Sequence, residues 1–220
     1  LRGDATPKTN ASAGRSFVQL NEWQGEPEVR AEIQTGIAAA YANLGEFTRA
    51  LQLLDDARAF PGASAYPSAS AMLTRARALR GLGDLAGARI AATHGLSSAD
   101  VGSLRVQLQS ELAGISTDYG DFASAEAGLR DALAQATVMN DFSARTPLNL
   151  SLAELLNKTE RTAQAQVVLD ETLKTLLTNT VSPNTLVARV EFLRGDVFET
   201  LGNREQAERS YLAAMRAFNT

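Results

Sequence analysis

The chain has 220 residues, 45% of them apolar, and a formal net charge of −4 spread over interspersed acids and bases. The apolar share is enough for a continuous core, while the lack of any Lys/Arg block leaves no basic stripe of the kind a sequence-independent nucleic-acid surface needs to displace counterions. The absence of cysteine excludes disulfides, thiolate metal sites and a cysteine nucleophile, and no apolar run approaches the length of a membrane span.

No signal peptide is visible. The chain begins at Leu1 rather than Met, so the expectation is a cut or processed piece whose targeting information would lie outside it. The location expected is cytoplasmic; a periplasmic one is the alternative, if a signal or anchor lies upstream of Leu1. Apart from Lys8, Lys158 and Lys174 every basic residue is arginine, the usage of a GC-rich bacterial gene.

In chain order, residues 1–14 are small, polar and Pro/Gly-containing, and read as a linker or arm. Phe17, Val18, Leu20 and Trp23 put an apolar stripe on a short helix over Arg15–Gly25. It is either the second helix of an incomplete preceding hairpin or a private capping helix. Pro27 suits the first turn of the next helix, where its missing N–H costs nothing. That helix runs to about Leu44. Gly45 supplies the φ > 0 exit, and Phe47, Ala50, Leu51 and Leu54 recur at helical spacing in the following helix, to about Phe60.

Pro61-Gly62 and Tyr66-Pro67 bound a loop. Helices are then expected over about Pro67–Leu82 and Leu85–Leu96. Asp100 is the N-cap candidate for a helix reaching about Asp118, and Phe122–Met139 is the next. Thr146-Pro147 and Ser182-Pro183 each read as an N-cap followed by Pro at the first helical position, although the first of these two helices can begin earlier, near Asp141. The last helix carries Tyr211, Leu212, Met215 and Phe218. No polar capping helix follows it in this sequence, so either the parent chain continues or this end meets a partner, a homodimer being the simplest version of the second.

The helix–glycine–helix corner returns at positions 45, 83, 120, 160 and 202, in steps of 38, 37, 40 and 42 residues. A period in this range signals a stacked helical array. A small residue, Ala50, Ala88, Ala125, Ala165 or Ala207, follows each corner and allows two helices to approach closely.

These residues resemble the tetratricopeptide repeat. The first unit supplies Ile37, Ala38, Tyr41, Gly45, Phe47, Ala50, Leu54 and Ala57; the last supplies Gly195, Phe198, Gly202, Ala207, Tyr211 and Ala214. The family's large first-helix residue is replaced by Gln34, Met72, Gln109, Asn149 and Glu191, and the fourth corner has Glu160 in place of glycine. The resemblance covers about residues 27–220. It implies an all-α, right-handed superhelical solenoid of about five antiparallel hairpins plus the N-terminal helix. As a single domain over 15–220 it would hold repeats near 27–64, 67–99, 100–139, 141–179 and 183–220.

The resemblance also implies that the first helix of each pair lines a concave groove. On that register the groove residues include Asn43, Arg77, Arg80, Glu154, Asn157, Arg189, Phe192 and Glu199, with Ala39 and Gly114 small enough to leave room for a bound backbone. Arg77 and Arg80 would anchor an acidic side chain or C-terminus bidentately, or would pair with acids inside the array. Phe192 is a contact or a packing residue. The basic clamp by which some tetratricopeptide domains hold chaperone tails is absent, since those places hold Thr35 and Ala39, Arg77 or Arg80, then Ser110 and Gly114.

Enzyme chemistry lacks an inventory. The one histidine, His94, reads as a surface helix position without a neighbouring nucleophile. Gly81-Leu82-Gly83 joins helix to helix with no strand before it, so it is no dinucleotide loop. Neither a cofactor nor a metal is expected. What remains is a non-catalytic scaffold for a protein or peptide partner, set in a larger bacterial signalling or regulatory protein. The run Gly25–Leu51 looks like arrays attached to bacterial Ser/Thr kinases and transcriptional regulators. A small-ligand sensory module is the alternative, and would need an enclosed apolar or aromatic pocket with convergent polar groups.

Overall fold

In a computed structural model of the chain, residues 26–59, 68–100, 102–178 and 184–219 are described, and every regular element among them is an α-helix. The expected arm over 1–14, the Arg15–Gly25 helix and the turns at Pro61, Pro67 and Ser182-Pro183 lie outside the described residues. Among the described residues ten helices form five hairpins. They are α1 (Pro27–Asn43) with α2 (Phe47–Ala59), α3 (Ala69–Gly81) with α4 (Leu85–Ser98), α5 (Ser103–Asp118) with α6 (Phe122–Val138), α7 (Phe142–Lys158) with α8 (Thr162–Thr178), and α9 (Asn184–Thr200) with α10 (Arg204–Phe218).

Each reversal is made by one left-handed residue and two backbone hydrogen bonds. At the first corner Gly45 has φ 80°. Its N–H donates to the Ala42 carbonyl at 3.1 Å, and the Glu46 N–H donates to Tyr41 at 2.9 Å. This Schellman pair satisfies carbonyls that the end of α1 would leave orphaned. The next helix is then capped from the corner: Asp84 accepts from Gly87 N–H at 2.9 Å and Asp121 from Ser124 N–H at 3.1 Å. The Gly-Asp pair thus closes one helix and opens the next.

Where glycine is missing the geometry persists. Glu160 holds φ 62°, and Arg161 N–H still reaches Leu156 at 2.8 Å. A sixth corner, not expected from the glycine pattern, lies between hairpins three and four. Asn140 takes φ 53°, Asp141 N–H donates to Ala136 at 2.9 Å, and Asp141 caps Ala144. Helix α7 therefore starts at Phe142, the earlier of the two starts weighed, and Thr146-Pro147 lies inside it. Pro147 has no N–H for the Ser143 carbonyl; both residues are exposed, so water can serve that carbonyl.

Helix α5 corrects the cap expected at Asp100. It begins at Ser103, behind Gly102, with no side-chain cap. The loop is tied instead by Arg105, whose guanidinium donates to the carbonyls of Leu96 and Ala99 at 3.1 and 3.2 Å. This satisfies the end of α4 from the first turn of α5, and the helix start shifts accordingly.

Successive first helices α1, α3, α5, α7 and α9 pack side by side, and each second helix packs on the first helix of the next hairpin. The first helices therefore form a continuous inner row. Ala50, Ala88, Ala125, Ala165 and Ala207 are all buried at the close approaches. Hairpins three to five share one leucine-rich cluster that includes Leu129, Leu148, Leu156, Leu169 and Leu193, whereas the first two hairpins rest on smaller, alanine-rich clusters.

Glu160→Gly should stabilise the chain by about 0.5–1 kcal/mol, because glycine removes the left-handed strain and retains both corner bonds. Gly202→Ala, at φ 74°, should cost about 1 kcal/mol. Urea midpoints at unchanged m would measure both.

Candidate functional site

The inner row carries the expected groove residues, and it divides them into two groups. In the first, Arg77 and Arg80 leave α3 toward α5. Arg80 Nε donates to Asp118 at 2.5 Å and its Nη1 to Glu111 at 3.4 Å. Arg77 Nε lies 3.6 Å from Glu111, and its Nη2 donates to Gln107 at 3.4 Å. Glu111 is buried, so the two arginines supply the partners that a desolvated carboxylate needs inside the array. Burial draws the Arg80 pKa down, but the hydrogen bond to Asp118 and the charge of Glu111 outweigh it, and the net shift is upward.

Gly114 has a different role from the one expected. A Cβ there would sit 2.4 Å from Arg80 Nη1, so the guanidinium already fills the space that was to admit a bound backbone. Glu111 and Asp118 were not among the expected groove residues. A signal for them exists in the sequence: Arg80 and Asp118 stand 38 residues apart, one repeat period. Asn43 is exposed at the end of α1, away from this network. Asn157 is half-buried on α7, with its Oδ1 buried and lacking a protein partner.

The second group converges. Glu154 of α7 with Arg189 and Phe192 of α9 lines a cleft of about 350 Å³, together with Leu150, Leu193, Asp196 and Phe218. Leu150 and Leu193 are buried, while Phe192 and Phe218 are 54% and 58% exposed. Glu154 keeps water on one side, and the cleft wall desolvates the other. That desolvation, reinforced by the charge of Asp196 and opposed by Arg189, holds its pKa above the usual carboxylate range.

Glu199 joins this group through Tyr211. The Tyr211 hydroxyl donates to Asp196 at 2.7 Å and to Glu199 at 3.0 Å. Its ring lies on Gly195, where a Cβ would meet Cε1 at 2.3 Å, and stands 5.7 Å from the Phe192 ring. Burial first, then both carboxylates, push the phenol pKa upward. Tyr211 thus holds one wall of the cleft in place. Tyr211 and Phe218 were recognisable as apolar residues of the last helix, but their approach to α9 depends on the closing of the final hairpin.

A second cleft of about 370 Å³ lies on α8, α9 and α10. Its Arg194 donates to Asp170 and Glu191, both at 2.8 Å, so its charges are already matched. His94 is exposed on α4. Among the described residues no three His, Asp or Glu side chains converge to hold a metal ion, and no helix is long and apolar enough to cross a membrane.

Arg80→Ala should cost about 1–2 kcal/mol after discounting for the one-third exposure of the guanidinium, because it leaves the buried Glu111 with Arg77 alone and removes the partner of Asp118; chemical denaturation would measure it. For Glu154 the raised native pKa means that the folded state keeps its proton to higher pH than the unfolded chain. Its contribution to stability is therefore present below the unfolded pKa and lost as pH rises through the folded one. Glu154→Gln should raise the neutral-pH urea midpoint slightly, by no more than about 0.5 kcal/mol, and converge with the parent near about pH 4.

No curated protein matches the chain. Among solved structures, BtubC (BKLC) from P. vanneervenii superposes with a TM-score of 0.74 at 17% identity, over 95% of this chain and 89% of that one. A protein of nearly identical TPR-like repeats from Podosopora anserina gives 0.65 at 16% identity, over 89% and 97%. MamA gives 0.56 at 14%, over 83% and 95%. At these identities the likeness is one of fold. The family model described as a tetratricopeptide repeat-like domain matches residues 89–220, more than half of the chain, and the protein belongs to that family.

Proposed function

We propose that the chain is a non-catalytic scaffold module that holds a protein or peptide partner on its inner row, with the cleft between α7 and α9 as the principal contact. The observation that carries this reading is the convergence of Glu154, Arg189 and Phe192 with Asp196 and Phe218 around one open cleft. Elsewhere on the inner row Arg77 and Arg80 are held by Glu111 and Asp118, so their role is to join hairpins two and three. Repeat arrays bind through surfaces of this kind because stacking makes a long groove of fixed curvature. The repeat family supports a protein-interaction role, the arginine-rich usage supports a bacterial source, and the likeness of Gly25–Leu51 to arrays attached to kinases and transcriptional regulators supports a place within a larger signalling or regulatory protein.

A small-ligand sensor is the second reading. It is favoured by one observation, the presence of two aromatic side chains and convergent polar groups in a single cleft. A homodimer through the last helix is supported by the exposure of Leu212, Met215 and Phe218.

Immobilised chain should retain a defined protein from host lysate. Glu154→Lys/Asp196→Lys should reduce that retention by about tenfold or more, the loss typical of a disrupted central contact. Equal retention by both versions, with both folded by circular dichroism, would remove the cleft from the interface. Retention lost only in Arg77→Glu/Arg80→Glu would return the contact to hairpins two and three.

A further inference from the structure

The charges of the inner row are matched at one end and unmatched at the other. Around α3 and α5, Glu111 and Asp118 are within ion-pair distance of Arg77 or Arg80. Around α7 and α9, Glu154, Asp196 and Glu199 have no cation within that distance among the described residues. Among the described residues that line the cleft Arg189 is the one cation, and it influences Glu154 from farther away. In the cleft itself two carboxylates, Glu154 and Asp196, therefore face one guanidinium, with Glu199 tied in beside them through Tyr211. Asp196 and Glu199 share a single neutral donor, the Tyr211 hydroxyl.

The same cleft has aromatic walls. Phe192 and Phe218 expose more than half of their surface beside these acids, over a floor of Leu150 and Leu193. Repeat symmetry gives Phe218 a counterpart in the preceding hairpin. Sixteen residues past its corner, Phe218 occupies the place of Leu176 in hairpin four. Leu176 is only 7% exposed, in the cluster that α9 completes. No described helix covers Phe218 in this way.

An aromatic face attracts a cation through its quadrupole, and a guanidinium, being planar and weakly hydrated, can stack on the ring while its N–H groups reach a carboxylate. Lysine meets the carboxylates but loses the planar stacking. An acidic segment would face the like charges of Glu154 and Asp196, and a purely apolar one would leave Glu154 desolvated without a partner. A volume of about 350 Å³ lies at the small end of ligand pockets, suited to one or two side chains rather than a packed helix.

We propose that the α7–α9 cleft recognises an arginine side chain of an extended basic peptide segment, stacked between Phe192 and Phe218 and hydrogen-bonded to Glu154 and Asp196. This rests on the scaffold reading above and names the partner chemistry of that same site. Arg189 occupies the edge of the cleft as a competing cation, so removing its charge strengthens the interaction.

The test is selection of a random heptapeptide phage library on the whole folded chain, followed by fluorescence anisotropy with a labelled peptide of the enriched consensus. The expected consensus contains arginine. Glu154→Gln/Asp196→Asn should weaken its binding by about tenfold or more, and Arg189→Gln should tighten it by about two- to fivefold, with affinity falling as salt rises. Circular dichroism melts confirm that each variant is folded. Enrichment of acidic or uncharged peptides that compete at the cleft overturns the arginine proposal and leaves the scaffold reading standing. An arginine consensus indifferent to all three substitutions overturns the site. No enrichment overturns the proposal and the peptide-scaffold reading together. A dimer in sedimentation that Phe218→Glu dissolves shows that a second copy covers the cleft, and also overturns it.

Discussion

A single left-handed residue at the end of each first helix is the constraint from which the rest of the structure follows. Reversing an α-helix within three residues leaves its last carbonyls without partners unless the chain turns through φ > 0, where two N–H groups can fold back onto them. Gly45 does this with Glu46, and the same bonds recur at Glu160 and Asn140 without glycine. Once the turn is set, the aspartate that follows is placed to cap the next helix, as Asp84 and Asp121 do. The direction of every second helix is then decided locally, before any distant contact forms. Local closure of this kind suits a repeat protein, whose units contact only their neighbours.

Close packing converts those reversals into an array. Buried alanines after each corner allow the paired helices to approach, and aromatic rings laid on glycines lock particular joints. Phe47 covers Gly81 between hairpins one and two, and Tyr211 covers Gly195 within the last. The core is uneven as a result. Alanine-rich clusters hold the first two hairpins, while a leucine-rich cluster runs through the last three. Among the described residues the cluster of the C-terminal half is built from larger side chains, which remove more apolar area from water. The cleft sits on that better-supported half, which favours a fixed geometry for the side chains lining it.

The two arginine sites show how the same residue type serves different ends. Arg80 lies flat over Gly114 and is consumed by Glu111 and Asp118, stitching α3 to α5 across one period. Arg189 stands beside carboxylates without closing on them. The difference lies in the neighbouring helix: α5 offers a glycine for the guanidinium to rest on and a buried acid to neutralise, whereas α7 opposes Arg189 with Glu154 across an open cleft. The first arrangement serves stability; the second leaves its charges unpaired, as the proposed recognition needs, because a charge already paired has little left to give a ligand.

The sequence by itself determined the helices, their pairing and their period, because these depend on residues close along the chain: a φ > 0 corner, a capping aspartate, apolar residues at helical spacing and a small residue at the contact. Where a substitute filled the corner, as Asn140 did, the glycine pattern missed it and Thr146-Pro147 misled, although the cap at Asp141 was visible. The placement of residues on the inner row followed from the repeat register. Their state did not. Whether Arg80 was free depended on Glu111 and Asp118 one hairpin away, and whether Gly114 was open depended on the rotamer of Arg80. The gathering of Glu154, Phe192 and Phe218 around one cleft depended on three helices drawn together by packing. Local propensity reaches across a turn or two; the charge and openness of a surface are set by side chains that only the stacked array makes neighbours.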